Sequence, residues 1–541
     1  MSENDKYENS NEIIKIMNDP QPFPRKVPDY MRGKGGIWYW TGAILMFAFL
    51  YESVTGLILL FAYIPSAAYS STEYFINSTP YGMIIITTHL YGAYVMIAVL
   101  YLHLLRNLFV GAYKKPRQNQ WFLGIILLLM TIGVGFFGYS MSGDVLSINA
   151  TGVGKGIAAA VPYIGDYLKR IVFGNGTTTS LFQRMLGWHV VLVVLIGVLF
   201  ALHFFLAEYN TIMPKRSEAN YTAPAVDKEN SAYKAWFPYN MLYMVQIAFY
   251  TFALIIIIPS FIAALPNSYV PMLFSPFPQV AANTPFTGYY YPPWFLLFVY
   301  KAMDFGIPLN PLWMTMVFGG IPALYLFFLP FIDRNRSLSM LDRPVTISLS
   351  VVGVVYLILM SAWGGLEPGQ PISAATVAAF FLGIGVPVFI VVWLAIWSIK
   401  NDKVNLSEPG KSYLLLALTG IFAFGTGALI IPSIESGASI YTIPLIFMAA
   451  ITAYLVFMDF IIIRPKGVEL TLFSNDKKFK PFTYTIISAI LVFAAVAILT
   501  VISYLNPTNI AQESGYGLGL GLLLFISGTL VKIYRTTEYA E

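Results

Sequence analysis

The chain has 541 residues, of which 57% are hydrophobic and only 11% charged; it carries a formal net charge of +5 and contains no cysteine. Soluble globular domains average about 25% charged residues, so a chain this poor in charge cannot cover itself with polar surface and reads as an integral membrane protein. The missing cysteine excludes structural disulfides, thiolate-held iron–sulfur clusters and covalent haem attachment through Cys-x-x-Cys-His. No basic, aromatic-interleaved patch points to nucleic acid, and the positive excess is that of cytoplasmic loops.

Residues 1–36 are polar, with no short apolar run followed by a small-residue cleavage site, so no removable signal peptide is expected. A membrane helix needs about 20 mostly apolar residues. Segments of about that length lie near 37–64, 81–105, 120–140, 185–207, 240–264, 310–331, 345–363, 374–399, 413–432, 440–463, 482–504 and 515–532, which predicts an all-α membrane fold of about twelve transmembrane helices. Every second loop is basic: Arg25, Lys26, Arg32 and Lys34 lead in, Lys114, Lys115 and Arg117 follow the second span, and Lys215 and Arg216 follow the fourth. The alternation runs on through Arg334, Arg336 and Arg343, Lys400 and Lys403, Arg464, Lys466 and Lys477, and Lys532 and Arg535. By the positive-inside rule both termini face the cytoplasm of a cell membrane. The long 141–183 loop, with Lys155, Lys169 and Arg170, is a mild exception. That loop and 265–309, both rich in Gly, Pro and Tyr, should fold as short helices along the outer membrane face.

The four histidines carry the chemistry. His89 and His103 lie 14 residues apart in the second span, and His189 and His203 lie 14 apart in the fourth. Fourteen residues of α-helix make about 3.9 turns and about 21 Å, so each pair shares one helix face at opposite membrane leaflets. Both helices run from outside to inside, which brings His89 level with His189 and His103 level with His203. Each layer then offers two imidazoles from facing helices, as six-coordinate haem iron in a helical bundle requires. A histidine proton relay is the plainer alternative, and a zinc site fits worse because no cysteine or carboxylate completes either pair. Gly42 and Gly56 in the first span, and Gly124 and Gly138 in the third, repeat the 14-residue spacing. They place a notch without side chains at each layer, although such glycines also serve close helix packing.

With Trp121 and Gly124, Gly138 and Tyr139, Val-Pro-Tyr-Ile-Gly at 161–165, Phe-Pro-Tyr at 237–239 and Trp-Gly-Gly at 363–365, the chain resembles the cytochrome b of quinol-oxidising cytochrome bc complexes, in an archaeal form. The resemblance covers about residues 35–400. It implies a haem-binding four-helix bundle at 37–230, with two haems of b-type or a-type: an outer one on His89 and His189 and an inner one on His103 and His203. It also implies a propionate partner in Arg106, for which a guanidinium fork is suited, and a second arginine near the outer haem edge in Arg184, which equally suits a plain interfacial role. A region at 231–405 would carry the outer quinol-site loop, and a separate Rieske iron–sulfur protein would accept electrons.

The sequence departs from that family where protons should move. In place of its Pro-Glu-Trp-Tyr stand Pro292, Pro293, Trp294 and Phe295, which keep the proline–tryptophan frame and lose the carboxylate. Other quinol-site candidates are Tyr139 and Asp144, with Tyr289, Tyr290, Tyr291 and Asp304 nearby; the tyrosine run also reads as an interfacial aromatic belt. At the inner quinone site the usual histidine is replaced by Glu208 and the usual acid of the fifth helix by Met244. Helices from about 406 to 541 lie beyond the family's eight, and read as a packing or docking extension toward other respiratory or terminal oxidase subunits. The expected function is a two-haem electron-transfer subunit taking electrons from a membrane quinol. Its rivals are a haem relay in a terminal quinol oxidase assembly and, in a different class, a twelve-helix secondary transporter.

Overall fold

The computed structural model describes residues 27–28, 36–210, 233–234, 236–266, 269–401, 481–505 and 507–538. Among them, ten helices are long and apolar enough to cross a membrane, and they coincide with ten of the twelve expected spans. The other two, 413–432 and 440–463, with Glu435 and Asp459, lie outside the described residues.

Helix α1 (Thr41–Ala62) follows a short turn at Gly36–Trp40, and α2 (Ala68–Ser78) is a short helix leading into α3 (Gly82–Phe109). Next come α4 (Gln118–Tyr139), the short helices α5 (Val145–Ala159) and α6 (Gly165–Phe173), α7 (Thr178–Tyr209) and α8 (Met241–Ala264). The 265–309 stretch holds single turns and one short helix, α9 (Leu297–Met303), so both loops set aside as non-spanning do contain short helices. The remaining spans are α10 (Pro311–Ile332), α11 (Pro344–Leu366), α12 (Ala374–Lys400), α13 (Pro481–Ser503) and α14 (Ile510–Glu538). A two-residue antiparallel pairing joins Val27–Pro28 to Tyr233–Lys234.

Several helix starts are written locally. Asp144 caps α5 by accepting the Ser147 N–H at 2.8 Å, Thr177 caps α7 through Ser180 N–H at 3.2 Å, and Asn310 and Ser373 do the same for α10 and α12. Each such cap satisfies one of the N–H groups that a helix N-terminus leaves without an intrahelical partner.

Lipid tails are as apolar as leucine, so these helices associate through close packing and polar contacts rather than hydrophobic drive. α1 packs along α3, and α4 along α7. The two histidine helices, α3 and α7, thus belong to different pairs and face each other across the bundle. α8 packs against α1 and α3 on one side and, most extensively, against α14 on the other. That last contact depends on glycine: a Cβ at Gly517 would lie 2.1 Å from Ser260 Oγ, and one at Gly521 would lie 2.4 Å from Ile257 Cγ1. The last helix is therefore part of the core beside the bundle, not a detached appendage.

A polar knot joins the end of α3 to α10 and α11. Lys114 Nζ lies 2.9 Å from Asp333 Oδ1, Tyr113 donates to the other Asp333 oxygen, and Arg343 donates to Tyr113 at 2.8 Å and to the Phe109 carbonyl at 2.6 Å. Burial pulls the Lys114 ammonium below its ordinary range, and Asp333 opposes that shift. Removing one partner of a buried ionic set strands the others at about 3–5 kcal/mol. Asp333→Ala should accordingly lower the thermal unfolding midpoint of the purified protein clearly, whereas Lys169→Ala, in the exposed pair with Asp166, should leave it nearly unchanged.

Candidate functional site

The geometry of the histidines matches the spacing argument. His89 on α3 and His189 on α7 have ring centroids 6.3 Å apart, and His103 and His203 have theirs 6.5 Å apart. Two imidazoles that ligate one metal ion from opposite sides, each at about 2.0 Å with the ring centre about 1.1 Å beyond the nitrogen, stand about 6.2 Å apart. The two layers therefore have the separation that a single iron between each pair demands. Among the described residues no group of three or more His, Cys, Asp or Glu side chains is arranged to hold a metal ion, so each layer offers its two imidazoles alone.

Hydrogen bonds turn three of the rings by their Nδ1 atoms. His189 Nδ1 lies 2.9 Å from the Val134 carbonyl and can only donate to it. His89 Nδ1 lies 3.0 Å from Thr55 Oγ1, whose own hydrogen goes to the Tyr51 carbonyl at 2.8 Å, so the hydroxyl accepts from His89. His103 Nδ1 lies 2.9 Å from Thr41 Oγ1. Holding Nδ1–H in this way fixes the tautomer and leaves Nε2 as the nitrogen available to a metal ion. The Asn107 amide, 3.0 Å from His103 Nε2, must swing aside for that nitrogen to ligate. His203 Nδ1 is buried and directed toward the backbone of Gln120 without closing a full hydrogen bond.

The four glycines sit as expected, with one refinement. A Cβ at Gly56 would lie 3.1 Å from His89 Cε1, at Gly138 2.9 Å from His189 Cε1, at Gly124 3.2 Å from His203 Cε1 and at Gly42 3.5 Å from His103 Cε1. The notches receive the edges of the imidazoles and so let the histidine rings lean on the neighbouring helix. Arg106 is buried, donates to Asn107 at 3.0 Å and covers the Tyr39 ring at 4.8 Å. Arg184 is exposed on α7.

A cavity of 380 Å³ opens beside His89 and His189 and reaches Tyr139, Asp144, Tyr291, Pro292 and Phe295. Pro293 and Trp294 are not among its lining residues; Trp294 instead meets Tyr94 edge-on at 6.1 Å, and Tyr94 does line the space. Phe295 is buried against Gly135, where a Cβ would come within 2.9 Å of its ring. Tyr139 donates to the Tyr291 carbonyl at 2.9 Å.

The carboxylates proposed for proton transfer have other work. Asp144 accepts from Ser147 N and, through Oδ2, from Gln279 N at 2.8 Å, pinning α5 to the 279–281 segment. Asp304 lies outside the cavity lining and pairs with the buried Lys301 at 3.1 Å; burial raises its carboxyl and Lys301 opposes the shift. Tyr289 and Tyr290 are exposed. The residue that sequence reasoning missed is Glu52, which lines the cavity and stands 3.1 Å from His89 Nδ1. Its signal was present: a carboxylate within an apolar span is rare and costly, and Glu52 lies four residues, one helical turn, before Gly56. At the other end Met244 packs with Trp40 and Tyr243, and Glu208 is half-buried near the end of α7.

The family described as Cytochrome b(N-terminal)/b6/petB matches residues 94–276. Cytochrome b of Sulfolobus acidocaldarius is 32% identical to this chain, over 94% of this chain and 94% of the relative. The menaquinol:cytochrome c reductase cytochrome b subunit of Geobacillus thermodenitrificans is 36% identical over 25% of this chain and 62% of its own length. In fold, the chain is similar to a solved chain titled hyperthermophilic respiratory Complex III, with TM-score 0.54 and 21% identity, over 73% of this chain and 99% of that one. Ten apolar helices, four histidines in two facing layers and a relative matched along nearly the whole length agree: the chain belongs to the cytochrome b family of membrane proteins, whose members carry haem.

Proposed function

We propose that this chain is the two-haem electron-transfer subunit of a quinol-oxidising respiratory complex in the cell membrane, with both termini cytoplasmic and a Rieske iron–sulfur protein as its partner. The observation that carries the reading is the pair of facing imidazoles at 6.3 and 6.5 Å. His89 and His189 would hold the outer haem, His103 and His203 the inner one, and bound haem would supply one-electron redox chemistry at each layer. The chain's own part is to turn the rings through Thr55, Val134 and Thr41, to admit them at four glycines, and to enclose them in apolar side chains.

The cavity beside His89 and His189 suits a quinol head group. Its walls are largely aliphatic and aromatic, with few polar groups converging on them, as a small-molecule site requires. Phe295, kept in place by Gly135, and the Tyr139–Tyr291 contact shape its far end. Pro293 and Phe295 supply no proton acceptor there, and Glu208 and Met244 differ from the family at the inner site. These departures favour, as a second reading, a haem relay within a terminal quinol oxidase assembly, in which the inner quinone site is unused. Family membership displaces the secondary transporter.

A reduced-minus-oxidised spectrum of the purified protein, combined with haem extraction, tests the proposal. Two haems per chain are expected, and extraction identifies b-type or a-type; a colourless protein would overturn it. Adding quinol to the isolated complex should reduce the haems, and Phe295→Trp, which enlarges the side chain facing the cavity, should slow that reduction about tenfold or more through lost fit, about 1.4 kcal/mol or above, without changing the haem content.

A further inference from the structure

We infer that Glu52 is a positioning residue that sets the redox potential of the outer haem through His89, an assignment that rests on the haem reading above. Glu52 Oε2 stands 3.1 Å from His89 Nδ1. Its other oxygen, Oε1, is buried and has no hydrogen-bond partner among the described residues. Such an atom is costly to keep inside a membrane bundle, and helix packing alone gives no reason for it.

The surroundings are built to hold this carboxylate. Gly92, three residues after His89 on the same helix, leaves room for it: a Cβ there would lie 1.9 Å from Oε1. Thr55, three residues after Glu52 on α1, contributes the hydroxyl that shares the same Nδ1–H. The carboxylate, the hydroxyl and the imidazole thus meet in a niche formed between α1 and α3.

Among the described residues the other three histidines lack such a partner. His189 donates to a neutral carbonyl, His103 faces a threonine hydroxyl, and His203 is directed toward backbone. The inner layer has the cationic Arg106, one turn beyond His103 on α3. A carboxylate on the far nitrogen of a ligating imidazole increases its basicity and favours the higher oxidation state of the metal. An ionised Glu52 would therefore make the outer site the weaker electron acceptor of the two.

The test is a potentiometric titration of the full chain in its purified complex, followed optically and by electron paramagnetic resonance. Two haem signals in the unmodified protein establish the haem reading independently of Glu52. Glu52→Gln should then raise the outer midpoint by the equivalent of about a tenfold change in the reduction equilibrium, about 59 mV for a one-electron couple, with the inner midpoint unmoved. Gly92→Ala, which pushes Oε1 away, should shift the same midpoint in the same direction. Unchanged midpoints, or equal shifts in both, would overturn the assignment. If Glu52→Gln cannot retain the outer haem, Gly92→Ala decides: a selective upward shift supports the role. An unmoved midpoint there, or loss of the outer haem in both variants, makes Glu52 structural only.

Discussion

Replacing His89 with leucine should take the chain from two haems to one, with the His103/His203 signal intact, and replacing His203 should do the converse. The expectation follows from the layers. Each layer sets one ring of α3 against one of α7, with centroids 6.3 or 6.5 Å apart, and would hold one iron between them; the two members of a helix lie about 21 Å apart along its axis. Losing one imidazole removes half the protein ligands of its own layer and none of the other's. Leucine fills the space without offering a nitrogen, so the helix pairs α1 with α3 and α4 with α7 stay packed. Haem-to-protein ratio and the optical spectrum are the measurements. Loss of both signals from a still-folded variant would show that the layers are wrongly paired.

Cutting the chain after residue 505, and so removing α14, should cost the outer haem its thermal resistance and lower the yield of folded protein. An extension expected only to pack or dock would leave the haem spectra intact. The structure packs α14 onto the bundle itself. Glu513 is buried, and its Oε2 accepts the Ile84 N–H at 3.2 Å, capping the first turn of α3, whose own N-cap residue, Tyr81, offers no side-chain bond. Ile84 is five residues before His89. At the opposite end Arg535 donates to Gln246 at 2.9 Å and covers the Tyr243 ring at 4.4 Å. The last helix therefore grips the bundle at both leaflets. Glu513→Ala isolates the first of these contacts. Leaving a buried backbone donor without its partner costs about 1–3 kcal/mol, so the outer haem should be released at lower temperature than the inner one. Simultaneous release of both would place the effect on global stability instead.

The spans were legible because lipid imposes a simple requirement. Without water, a chain must satisfy its backbone within each helix and cover it with apolar side chains for about 20 residues. The facing histidines were legible for a related reason: helical pitch is constant enough that a 14-residue interval fixes both face and depth. The glycines followed from the same periodicity, although their contacts proved to be with imidazole edges. The partners of the carboxylates were not legible. Asp144 and Asp304 read as candidates because they lie near the 289–295 stretch in the fold the resemblance implies; the structure shows the first accepting from two backbone N–H groups and the second paired with Lys301. Glu52 stood unremarked among apolar neighbours.

By itself the sequence determined a polytopic helical chain, the expected orientation of its spans and four histidines in two layers, all of which depend on regularities within single helices. Only the tertiary structure decided that Glu52 meets His89, that Gly92 makes room for it, and that Glu513 and Arg535 join the last helix to the bundle. The physical reason is that these contacts depend on which faces of separate helices meet. In a membrane that choice is made by close packing and by the few polar groups that must find partners, and neither is written in the periodicity of any one span.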